Sequence, residues 1–131
     1  MAKRKPQGIF PAPLFGGDVI VCRDLDEWRA ACEFFDVEDD AEGFAGRTFQ
    51  IRNTDTGKRV YLIGVFDRSV ATLTHELAHA VFFLAGHVGV DVAAGETNET
   101  FCYLLGNLLH EVLPFFGAKT HVSRRKRGGA A

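Results

Sequence analysis

The stretch Leu73-Thr74-His75-Glu76-Leu77-Ala78-His79-Ala80-Val81-Phe82-Phe83-Leu84 decides how this chain is to be read. On a helix at about 100° per residue, His75 and His79 fall one turn apart on nearly the same face. Two imidazoles placed this way can converge on one Zn²⁺ at about 2.0–2.1 Å each. Glu76 sits roughly 80° around from the midpoint of the pair, within reach of a water held there, whereas Leu77 points away into the core. His75 to His79 thus read H-E-x-x-H, a pattern that places two zinc ligands and a general base on one helical turn. The run from Ala78 to Leu84 is apolar apart from His79. A pair of ordinary helix histidines is the competing reading, but a polar pair in so apolar a helix needs partners, and a metal supplies them.

A tetrahedral catalytic zinc requires a third protein ligand and an open position. The candidates are Glu96 and Glu99, in Glu96-Thr97-Asn98-Glu99. A helix from about Glu96 to Val112 would put Glu96, Glu99, Tyr103 and His110 on one stripe. Phe101, Leu104, Leu105, Leu108 and Val112 would then face the core. Carboxylates also favour a helix N-terminus for the sake of its dipole, which accounts for one of the two glutamates but not for both.

Asn98-Glu99, placed 20 residues after His79, resembles the Asn-Glu that carries the third ligand in thermolysin-like gluzincins. With H-E-x-x-H before it, the chain is similar to gluzincin metallopeptidases, and above all to the minimal single-domain proteins of that type encoded by phages. The similarity covers about residues 60–113. The metzincin pattern is excluded, since it wants Gly and His where this chain has Phe82 and Ala85.

This resemblance implies one Zn²⁺ per chain held by His75, His79 and Glu99, with Glu76 as general base for hydrolysis of peptide bonds in a peptide or protein substrate. It also implies that the strand Val60 to Val65, just before the H-E-x-x-H helix, borders the cleft and offers its backbone to an extended peptide. The chain after Glu99 is short, so no second lobe is expected to supply an oxyanion-stabilising residue. Tyr103, one turn beyond Glu99, is the catalytic candidate for that task, ahead of His87 and His110. Thr72 and Asn98 are candidate partners that orient the ligands. A second reading stays open: a catalytically silent, metal-stabilised interaction module of phage or bacterial origin.

The rest of the sequence reads as a small α+β, minimal zincin-like domain in the order βαββαα. A small antiparallel sheet packs on the H-E-x-x-H helix, and a ligand-bearing helix follows. Val19 to Cys22 is a short apolar strand. Asp24 and Glu27 have capping-box spacing, ahead of a helix with Leu25, Trp28, Cys32 and Phe35 on one face. Thr48 to Arg52 and Arg59 to Phe66 form a hairpin around the turn Asn53 to Gly57. Asp67 or Ser69 caps the helix that carries His75, and a loop is expected from Gly86 to Gly95.

A chain of 131 residues, 47% hydrophobic and with 12 Phe, is long enough for one real core without disulfides. Its 3 Cys, with no C-x-x-C pair, read as reduced thiols used as small hydrophobes. The net charge of −2 hides an asymmetry. Residues 1–8 carry +3 and residues 119–131 carry +5, which leaves −10 on the body between them. The expectation is a disordered basic tail at 1–8, a single domain at 9–118, and a disordered basic tail at 119–131. The tails could touch a phosphate backbone, yet the acidic body argues against nucleic acid as the main ligand. No signal peptide or membrane span is expected, and a cytoplasmic location follows from that reading.

Overall fold

The computed structural model describes residues 3–93 and 98–117. Four strands and three helices follow one another as β1 (Ile9–Pro11), β2 (Asp18–Cys22), α1 (Leu25–Phe34), β3 (Gly46–Arg52), β4 (Arg59–Val65), α2 (Val70–Val88) and α3 (Asn98–Phe116). The α+β class is as expected. The strand β1 is additional to the expected order, and it ends on a proline. It pairs antiparallel with β2 at the sheet edge, Pro11 opposite Asp18, and a strand edge is where proline is tolerated.

The sheet is mixed, not antiparallel, with strand order β1-β2-β4-β3. The β3–β4 hairpin forms as expected, with Thr48 opposite Ile63. However, β4 runs parallel to β2, with Ile20 opposite Leu62. Both are continuous apolar runs, buried on both faces, and such strands belong in the middle of a covered sheet. The two faces are covered by different helices. Ile20, Cys22, Val60 and Leu62 meet Trp28, Ala31 and Cys32 of α1. Val19, Val21, Tyr61, Ile63 and Val65 meet Leu73, Leu77, Val81 and Leu84 of α2 and Leu104, Leu108 and Val112 of α3. Burial pushes the Cys32 thiol up to about 11 and Cys22 higher still. Both are therefore unreactive core thiols.

The caps agree with the chain's own signals. Asp24 accepts from the Glu27 N–H at 2.8 Å, and Glu27 reaches back to the Arg23 N–H at 2.7 Å. Ser69 accepts from the Thr72 N–H at 3.0 Å. Helix α2 runs past the expected break at Gly86 and stops at Gly89, whose φ of 80° is the left-handed conformation that closes helices. Helix α3 continues one turn beyond Val112 despite Pro114. Phe116 is buried there, and Arg23 donates to the Phe115 carbonyl at 3.3 Å.

Residues 3–8, expected to be a free tail, lie against the body. The Gly8 carbonyl accepts from the Val21 N–H at 2.9 Å, and Lys3 pairs with Asp36 at 2.5 Å. The basic segment 119–131 lies outside the described residues. Among the described residues, no helix is long and apolar enough to cross a membrane.

Candidate metal centre

Helix α2 positions the candidate site through its burial pattern. Leu73, Leu77, Ala80, Val81 and Leu84 are buried against the sheet and α3, which turns His75 and His79 outward to an exposed face. The two rings meet edge to face with centroids 4.8 Å apart. Their Nε2 atoms are 3.2 Å apart. Two nitrogens bound tetrahedrally to one zinc at 2.0–2.1 Å are separated by about 3.3 Å. The pair therefore has the spacing of one edge of a zinc tetrahedron. Without a metal, the Nε2–H of one neutral ring can donate to the other.

Glu76 takes a different direction. It is buried, with 7% of its surface exposed. Its Oε1 accepts from the Thr48 hydroxyl at 2.5 Å. The same Thr48 Oγ1 lies 3.2 Å from the Glu76 carbonyl oxygen. Glu76 and His75 nonetheless line one open depression of about 430 Å³, together with Ala45, Gly46, Ala71 and Thr72. Base candidate and imidazole thus share one depression, at the start of β3 and the first turns of α2.

The other expected site residues are not gathered here. Among the described residues, no three His, Cys, Asp or Glu side chains are grouped so as to hold an ion, so Glu99 is not brought to the histidine pair. The reason is rotational. Leu104, Leu108 and Val112 pin one side of α3 to the core, and Glu99 lies roughly 140–180° around from Leu104 and Leu108. The polar stripe read as facing a metal faces solvent, and Tyr103 on it is 53% exposed. Tyr103 does not line the depression, and His87 and His110 are exposed. Glu96 lies outside the described residues. The Thr72 hydroxyl, expected to orient a ligand, donates instead to Asp67 at 2.7 Å.

Strand β4 does not border an open cleft, because it sits between β2 and β3 with partners on both sides. The edge strand beside α2 is β3. Its residues Gly46 and Thr48 belong to the site although no sequence motif marks them. Their usable signal is the alternation of Thr48 to Arg52: with Phe49 and Ile51 facing α1, Thr48 must face α2. Compared with family models, curated proteins and solved structures, the chain matches none.

Proposed function

We propose that this protein is a zinc-dependent hydrolase of peptide or related amide bonds. His75 and His79 serve as two metal ligands, Glu99 as the third, and Glu76 as general base. The observation that carries the reading is the 3.2 Å Nε2–Nε2 separation of the histidine pair, which needs no rearrangement to span one edge of a zinc site. Zinc, when bound, supplies an electrophile for a carbonyl oxygen and acidity for a water. The chain's own contribution is positional. The imidazoles present their Nε2 atoms together on the exposed face of α2, and Glu76 lines the depression that His75 also lines. From there it takes a proton and returns it to the leaving amine. The reading requires the first turn of α3, or the residues just before it, to bring Glu99 or Glu96 to the pair.

One observation favours a second reading, that of a metal-stabilised interaction module without turnover. Glu76 is buried and already bonded to Thr48, as a structural carboxylate would be. The deciding experiment is zinc content by elemental mass spectrometry on wild type, His79→Ala, Glu99→Gln and Glu96→Gln. About one zinc per chain, lost in the first two variants and kept in the third, supports the site as drawn. Loss with Glu96→Gln alone transfers the third ligand to Glu96. A wild-type chain that takes up no zinc on reconstitution defeats both readings. Zinc-loaded Glu76→Gln, keeping its metal but losing hydrolysis of a casein probe, separates the enzyme from the module.

A further inference from the structure

Glu76 is a charged residue buried to 7% exposure, and what holds it is the edge strand β3. The Thr48 hydroxyl lies against both ends of this residue, 2.5 Å from Oε1 and 3.2 Å from the main-chain carbonyl oxygen. Gly46, two residues earlier and so on the same face of β3, leaves a gap that Glu76 fills. A Cβ built on Gly46 would stand 2.9 Å from both Cγ and Oε2 of Glu76. The carboxylate therefore occupies a slot with Thr48 at Oε1 and Gly46 at Oε2.

The strand that forms this slot is pinned from its opposite face. Arg47, between the two slot residues, bonds Asp39 at 2.7 Å. Its guanidinium lies 4.8 Å and 5.1 Å from the ring centres of Phe44 and Phe49. Asp39 is almost fully buried and also accepts from Trp28 Nε1 at 3.1 Å. Phe49 in turn packs on Trp28, with ring centroids 5.6 Å apart.

We propose that Thr48 is a positioning residue: its hydroxyl holds Oε1 of Glu76, so that Oε2 stays beside Gly46 at the wall of the depression shared with His75. This deepens the hydrolase reading and rests on it for the role of Glu76, but the hold on Glu76 can be measured without turnover. Valine has the shape of threonine and keeps its strand preference, so Thr48→Val removes the hydroxyl and little else. Serine restores it.

The test is carbodiimide-driven amidation of carboxylates in the full chain as purified, read by peptide mass spectrometry with exposed Glu111 as internal reference. Burial already slows wild-type Glu76 relative to Glu111, and the Thr48 hydroxyl should add about tenfold protection, the ratio that one hydrogen bond to a carboxylate sustains. Thr48→Val should remove most of that protection and Thr48→Ser should keep it, with circular dichroism unchanged in both. Protection that survives Thr48→Val, or that Thr48→Ser loses equally, overturns the proposal. Failure of the hydrolase reading is seen separately, as a wild type without zinc or without hydrolysis of casein, and neither result enters the labelling ratio.

Discussion

Replacing Gly46 by alanine probes the slot that holds Glu76. The added Cβ would lie 2.7 Å from Thr72 Cγ2, 2.9 Å from Glu76 Cγ and 2.9 Å from Glu76 Oε2. All three are closer than carbon or oxygen atoms tolerate, and two belong to a single side chain. Overpacking of this kind costs about 1–3 kcal/mol. If Glu76 yields, its hydrogen bond from Thr48 is lost as well, for about 1 kcal/mol. Alanine returns roughly 0.5–1 kcal/mol relative to glycine inside a strand. The net expectation is a loss of about 2 kcal/mol, or a fall of about 8 °C in Tm for a domain of this size. Urea denaturation followed by circular dichroism measures it, and an unchanged slope shows that stability has changed and the surface exposed on unfolding has not. The decisive comparison is a double-mutant cycle. Glu76→Ala removes two of the three close contacts, so Gly46→Ala should cost about 1 kcal/mol less in that background. Additivity of the two substitutions to within about 0.5 kcal/mol would show that Gly46 and Glu76 do not share the slot, and the reasoning would fail.

Further expectations follow from other parts of the molecule. Asp39→Ala deprives Arg47 and the Trp28 indole N–H of their shared acceptor. It should cost about 2 kcal/mol and shift the emission of the chain's single tryptophan, both measurable in one fluorescence melt. Ser69→Ala removes the cap of α2 and should cost about 1 kcal/mol in chemical denaturation, with Ser69→Asp close to neutral. The hydrogen bond from Arg23, outweighing the opposing effect of burial, holds the Glu27 carboxyl below its usual range. A carboxyl depressed in the folded state stabilises above its unfolded pKa, and that stability is lost as pH falls through the folded value. Wild type should therefore lose stability between about pH 5 and pH 3 more steeply than Glu27→Gln, as urea midpoints across that range will reveal.

Much of the local architecture was legible in the chain because it depends on neighbours in sequence. Asp24 and Ser69 cap α1 and α2 through bonds that span three residues. The histidine pair is of the same kind, since residues four apart on any helix face the same way. The faces of α1 and β3 also followed from period, with Trp28 and Phe49 meeting as their alternation requires. The strand β1 lies outside that local reading: it is three residues long and ends on a proline, which a sheet edge tolerates.

What only the tertiary structure decided is which element lies against each of those faces. Periodicity identifies the apolar side of α3 but not the direction of its polar side, and Glu99 and Tyr103 turn to solvent once Leu104, Leu108 and Val112 are seated in the core. The chain order places β4 directly before α2, yet burial on both faces draws β4 into the middle of the sheet beside β2 and leaves β3 at the edge. The partner of Glu76, Thr48, is 28 residues away in sequence. No local pattern links the two, because the contact exists only after hairpin and helix have packed. The helix by itself determined that two imidazoles and a carboxylate occupy one turn. The edge strand determined where the carboxylate goes, because a buried carboxylate settles where a donor is already fixed.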